Sequence, residues 1–301
     1  MRNKKRSAWM IAGAGVLWGM ISLFVRGLSA LGLTALQIVF YRNVLAAVAL
    51  GVVLAVRGRQ ALRIRLRDLW IFVGTGIGSI ALFNYCYFVT LSRSSVAVAS
   101  LLLYTSPVFV MLLSMLLFRE RLTANKLLAL VITVAGCACI TGVFSQAQAV
   151  SPATVLFGLG SGLFYGLYSI FGKVALRRYS TMTISFYTFV FAALATAPFA
   201  AADCAAFTAS HPAGLALGVC LAVLCTVVPF LLYTGGLDGV PASRAAVLAT
   251  VEPMTGSVLG VIAFGDPFTI WTVLGMGLIL GAIVVLQMPL GRRAHAEEID
   301  G

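Results

Sequence analysis

Ten continuous apolar runs, separated by short polar stretches, lie at about 7–31, 34–56, 69–91, 95–118, 126–145, 154–176, 181–201, 212–235, 243–264 and 270–288. Wound as a helix at about 1.5 Å per residue, each run covers a hydrocarbon core of roughly 30 Å. Membrane-crossing strands would alternate apolar and polar residues in short segments, and these runs do not. The pattern predicts an all-α integral membrane protein with ten transmembrane helices.

The polar stretches between the runs set the orientation. With the N-terminus inside, the inner segments hold 17 of the 21 Lys and Arg residues: the group from Arg2 to Arg6, the run from Arg57 to Arg67, then Arg119, Arg121, Lys126, Arg177, Arg178, Arg244, Arg292 and Arg293. The outer side keeps Arg93 and Arg26, while Arg42 and Lys173 fall within spans. This bias places both termini in the cytoplasm and the chain, multi-pass, in the cytoplasmic (inner) membrane. The run from Arg57 to Arg67 serves as a topology determinant or a contact for anionic lipid headgroups. The basic start imitates a signal peptide, but the apolar stretch after it is too long for one and lacks a small-x-small cleavage site, so it reads as a retained first helix.

Composition agrees. Of 301 residues, 61% are hydrophobic and 10% charged, against roughly 25% charged in soluble domains. That excludes a soluble enzyme, a secreted module and a disordered chain, and leaves no room for a soluble domain. The net charge of +12 belongs to the membrane-flanking segments, so the expected partners are the lipid bilayer and a small-molecule substrate, with no nucleic acid. The oligomeric state is open. Of the six cysteines, all but Cys204 lie inside apolar runs, and Cys137 and Cys139 are too close for a CxxC pair; they read as packing residues.

An internal repeat organises the chain. GVLWGMISLFVR in the first run matches GLFYGLYSIFGK in the sixth, pairing Gly15 with Gly162, Trp18 with Tyr165 and Arg26 with Lys173 at an offset of 147. Pro107 with Pro253, Phe118 with Phe264, Glu120 with Asp266 and Thr123 with Thr269 pair at 146. The repeat divides the chain into two five-helix units, at 1–148 and 149–290, with a cytoplasmic tail at 291–301. Five is odd, so the second unit enters the membrane from the opposite side: two inverted repeats, an architecture of secondary transporters with the site between them near the midplane. FRERLTANK after the fourth run is basic; its counterpart FGDPFT has lost its basic residues, as an outer loop would.

With the Trp-Gly of the first helix, the Arg of the second, LYTSP in the fourth and LDGVPASRAAVLATVEP leading to FGDPFT in the ninth, the chain resembles the EamA-type branch of the drug/metabolite transporter superfamily. Gly265-Asp266 stands where that family's repeat more often has Gly-Glu. The resemblance runs along essentially the whole chain. It implies ten helices and ATP-independent export of amino acids or other small metabolites.

Ionisable groups inside a bilayer are functional candidates by default. Glu252 lies about ten residues into the ninth helix, before Pro253, whose ring frees a backbone carbonyl one turn back. It is the candidate for proton coupling or for a substrate amine; the alternative is a structural carboxylate paired locally. Arg42, about eight residues into the second helix, is suited to a substrate carboxylate or to snorkelling outward; its counterpart is near Thr188, so the charge is not repeated. Arg26 and Lys173 read as interface anchors. Trp18, Tyr85, Tyr104, Tyr165, Tyr168 and Tyr187, with Asn84, lie within spans; buried Tyr and Trp need polar partners, and together they read as the lining of a cavity for a small amphipathic solute. Five GxxxG patterns, at Gly15, Gly74, Gly158–Gly166, Gly256 and Gly277, read as helix-packing surfaces.

No Walker, HExxH or Rossmann pattern occurs, and His211 and His295 fall at surface positions, so neither a cofactor nor a metal nor an enzymatic activity is expected. The expected function is a secondary transporter exporting amino acids or related metabolites. The alternatives are a multidrug or toxic-cation exporter of the same fold and a non-transporting polytopic protein.

Overall fold

A computed structural model describes residues 4–57, 62–143, 150–266 and 268–288. The boundary at 148/149, Arg2, Arg59 and the tail with Arg292, Arg293 and His295 lie outside the described residues. Among the described residues there is no strand, and nine helices are long and apolar enough to cross a membrane: α1 (Lys4–Ala30), α2 (Ala35–Val56), α3 (Leu66–Arg93), α4 (Val96–Phe118), α5 (Ala124–Thr141), α6 (Pro152–Ala175), α7 (Thr181–Ser210), α8 (Pro212–Leu237) and α9 (Ala242–Phe264). A further apolar helix, α10 (Ile270–Leu286), is shorter than these.

Two elements depart from the sequence reading. The seventh helix runs to Ser210, past the expected end near 201. The Ala-rich stretch after Phe199 continues it, and Asp203 near its end accepts from the Gln37 amide at 2.7 Å. Cys204 is therefore buried inside a helix, not in a loop. The fifth helix stops at Thr141, earlier than the expected 145, because Gly142 takes the left-handed conformation (φ 69°) that ends a helix.

The repeat reappears as local structure. Thr123 and Thr269, 146 apart, both cap the next helix, each side-chain oxygen accepting from the N–H three residues on. Arg119 (φ 53°) and Gly265 (φ 69°), also 146 apart, end α4 and α9 in the left-handed region. α3 carries a π-helical segment at Gly74–Ala81, and α8 one at Val223–Val227. α4 is broken at Tyr104–Thr105 and α9 at Ala249–Thr250. There the Thr105 and Thr250 hydroxyls each donate to the carbonyl three residues back, both at 2.6 Å, and Pro107 and Pro253 stand in the next turn.

Packing has the same pattern. α1 lies against α8 and α9, and α6 against α3 and α4; α2 lies along α7, and α5 along α10. Exchanging the first five helices with the second five leaves this set of contacts unchanged. Glycines permit the closest approaches. A Cβ on Gly19 would stand 2.5 Å from Thr255 Cβ and 2.7 Å from Glu252 O, and one on Gly162 2.9 Å from Leu102 O. So Gly15 and Gly19 seat α1 on the break in α9, and Gly162 and Gly166 seat α6 on the break in α4. Gly277 and Gly281 have nothing within 4 Å of such a Cβ, so that pattern is not a packing surface among the described residues. Val56 (82%), Leu116 (77%) and Ile262 (75%) are exposed, and an apolar exterior of this kind suits lipid rather than water.

Candidate functional site

One cavity of about 840 Å³ in the bundle is lined by residues at or just beyond the helix breaks and π-helical segments. A π-helical turn inserts a residue into the helical register and so re-aims the side chains of the next turns. Beyond the segment in α3 come Phe83, Asn84 and Tyr87, and beyond that in α8 come Phe230 and Tyr233; all five line the cavity. The break in α4 brings in Tyr104, and the break in α9 brings in Glu252 and Pro253.

Of the residues singled out in the sequence, Trp18, Arg42, Asn84, Tyr104, Tyr165, Tyr168 and Glu252 line this cavity together. Tyr165 donates its hydroxyl to Glu252 Oε2 at 3.0 Å and meets the Trp18 indole edge to face, 6.4 Å between centroids. Trp18 also packs on Phe230 and Tyr233, at 5.4 and 5.2 Å. The Tyr168 and Thr234 hydroxyls bond at 2.6 Å, and those of Ser169 and Tyr233 at 2.7 Å. These bonds satisfy the buried phenols and fix the ring positions. Asn84 spends its amide on its own helix, donating to Ile80 O at 2.8 Å.

Arg42 is 8% exposed, and its Nε has no hydrogen-bond partner among the described residues. Glu252 lines the same cavity, yet no ion pair joins the two among the described residues. A guanidinium and a carboxylate that share a cavity without neutralising each other in contact are costly to hold in the bare protein. They are available to a ligand carrying the complementary pair.

Two sequence candidates lie elsewhere. Tyr85 is 58% exposed and meets Phe157 edge-on at 6.3 Å, on the outside of the bundle; it is next to Asn84, but successive residues on a helix face about 100° apart. Tyr187 packs on Phe72 at 5.2 Å and donates to Leu62 O at 2.6 Å, near the α2–α3 connection. Residues that the sequence reading passed over include Tyr87, whose hydroxyl lies 3.3 Å from Ser100 Oγ, and Tyr233. Both line the cavity and are counterparts at offset 146, as Asn84 and Phe230 are; applying the repeat offset to every polar or aromatic residue would have found them. Arg26 and Asp266 reach the cavity at the end where α1 stops and pair at 2.9 Å. Among the described residues no group of His, Cys, Asp or Glu could hold a metal ion.

Known proteins carry the same pattern. The EamA-like transporter family matches this chain twice, at residues 5–142 and 152–288. An uncharacterized transporter of Archaeoglobus fulgidus is 29% identical over 277 residues, covering 90% of this chain and 93% of that protein. The threonine/homoserine exporter RhtA of Escherichia coli is 24% identical over 230 residues, covering 76% of this chain and 74% of the exporter. A crystal structure at 19% identity superposes with a TM-score of 0.74 over 99% of this chain and all of that one, so the helical fold is shared. Its relatives are named as transporters rather than enzymes, and with two tandem matches covering nearly all of its described helices the chain belongs to the EamA-like transporter family, the EamA type of drug/metabolite transporter.

Proposed function

We propose that this protein is a secondary active transporter that exports amino acids or related small metabolites across the cytoplasmic membrane by alternating access. In this reading α1–α10 make ten crossings, in two inverted five-helix units over 1–148 and 149–290, with both termini in the cytoplasm. The packing that survives exchange of the two halves and the repeated caps, breaks and π-helical segments support the inverted pair.

The observation that carries the substrate class is the joint presence of Arg42 and Glu252 in one aromatic-walled cavity. Arg42 is the site for a carboxylate, bidentate by its fork geometry. Glu252, oriented by the Tyr165 hydroxyl, is the site for an ammonium group or a coupling proton. A zwitterion satisfies both charges and adds none. The name of the threonine/homoserine exporter relative supports the same class. A multidrug or cation exporter would use the aromatics and Glu252, but a buried guanidinium in the same cavity repels a cation.

Binding to purified protein tests this. An amino acid should stabilise it against heat more than its decarboxylated amine or its deaminated acid does, and Arg42→Gln should remove the difference between amino acid and amine. Equal stabilisation by the amine alone would favour the cation reading.

A further inference from the structure

Four repeat-related side chains hold the two ends of the bundle in two different arrangements. Arg26 and Lys173 are counterparts at 147, Asp266 and Glu120 at 146. Where α1 stops, Arg26 donates to Asp266 at 2.9 Å. At the other end Lys173 and Glu120 form no such pair among the described residues. Lys173 Nζ donates to the carbonyls of Leu237 and of Val240, the latter at 2.8 Å. Glu120 accepts the Ala242 N–H at 3.0 Å and the Ser243 hydroxyl, and pairs with Lys126 at 3.1 Å. Leu237, Val240, Ala242 and Ser243 all belong to the α8–α9 corner.

The two corners differ in burial. In the α8–α9 corner Val240 is 3% and Ala242 0% exposed. In the counterpart α3–α4 corner, Val96, which corresponds to Ala242, is 63% exposed and lines the cavity. One end of the bundle is packed shut and the other is open.

At the shut end, backbone dipoles of the corner satisfy both charges: carbonyls serve the ammonium, and the start of α9 serves the carboxylate. If that corner swings away, those dipoles leave and the two charges turn to each other. Arg26–Asp266 is that second arrangement. We propose that the ion pair marks an open end and the corner contacts mark a shut one, and that the two ends exchange arrangements during transport; this rests on the alternating-access reading above. In the opposite state Arg26 donates to the carbonyls of Leu91 and Ser94, the counterparts of Leu237 and Val240. Asp266 accepts at the start of α4, at Val96, and Lys173 pairs with Glu120. Each end trades one ion pair for one set of dipole contacts, which keeps the two states close in energy, as a bistable element requires. The trade is not fully symmetric, because the counterpart of Lys126 is the uncharged Thr272.

A charge swap separates this device from a fixed clasp. Arg26→Asp with Asp266→Arg keeps the ion pair, but a carboxylate cannot take carbonyls and a guanidinium cannot cap a helix start, so the outer end cannot shut. The readout is labelling by a maleimide applied from the cytoplasmic side, in a cysteine-free background carrying Ala246→Cys. Ala246 is the counterpart of the cavity residue Ser100 and is buried in the shut end. The parent should label slowly, and the swap should cut that rate roughly tenfold or more at unchanged membrane abundance. Asp266→Asn, a mild variant that weakens the ion pair yet still caps a helix, should raise it. Unchanged labelling in both variants means a fixed clasp and overturns the proposal. A parent that never labels from the cytoplasmic side means no alternation, and overturns the alternating-access reading along with it.

Discussion

Trp18 and Tyr165 stand 147 positions apart, at the same place in the two halves of the repeat, and their rings meet edge to face at 6.4 Å. Duplicated residues that touch each other must lie near the axis relating the copies. That contact is in the wall of the cavity, beside Glu252, so in the proposed inverted-repeat reading the axis passes through the candidate site.

Truncating the wall should cost transport, whereas truncating the exterior should not. Trp18→Ala, Tyr104→Ala and Tyr165→Ala are each expected to lower the transport rate about tenfold, equivalent to ~1.4 kcal/mol, at normal protein abundance. Tyr85→Ala removes a ring from the outer surface and should stay within roughly twofold of the parent by the usual mildness of surface changes. Transport assays normalised to membrane protein decide this; a silent Tyr165→Ala would move the site elsewhere.

Glu252→Gln distinguishes coupling from architecture. The amide still offers an oxygen to the Tyr165 hydroxyl, so the helix break and the aromatic wall survive. Gradient-driven accumulation should vanish, while exchange of labelled for unlabelled substrate persists at a reduced affinity, because the amide no longer offers a charge to the substrate ammonium. Glu252→Leu strands that phenol, at a cost of roughly 1–3 kcal/mol, and should reduce folded protein. A Gln variant that concentrates substrate with the parent's pH dependence would remove Glu252 from coupling.

Glycine substitutions sort by contact. Gly19→Ala drives a methyl to 2.5 Å from Thr255 and 2.7 Å from the Glu252 carbonyl, pushing α1 off α9, and should lower thermal stability in detergent sharply. Gly277→Ala meets nothing within 4 Å and should be neutral or stabilising, by up to about 1 kcal/mol from helix propensity. Equal losses would contradict the packing described between α1 and α9.

Much of this arrangement is legible in the sequence, because lipid leaves the chain few options: apolar runs must be helices, and their lengths are set by the bilayer. The repeat offset was legible too, since Pro107 and Pro253, or Thr123 and Thr269, occupy positions with specific backbone roles. What the sequence hid depends on helix register. Tyr85 and Asn84 are adjacent, yet one faces outward and the other the cavity, because successive helical residues point about 100° apart and the π-helical segment before them sets which one turns inward. The extension of α7 to Ser210 lies past the apolar run that ends near 201, and it carries Asp203, which Gln37 meets across the bundle.

In the proposed reading the topology rests on an odd number of helices in each unit. Reporters fused at Gly301 and inserted near Ser151 should report opposite sides of the membrane. The same side for both would remove the inverted arrangement and, with it, the pairing of the α3–α4 and α8–α9 corners.

The most direct test of the central claim is uptake into everted membrane vesicles containing this protein, measured for a panel of amino acids with and without an imposed proton gradient. The account predicts saturable, gradient-dependent accumulation of at least one amino acid, abolished by Arg42→Gln and not reproduced by the corresponding amine. Uptake of no amino acid, or accumulation that survives Arg42→Gln unchanged, would contradict it.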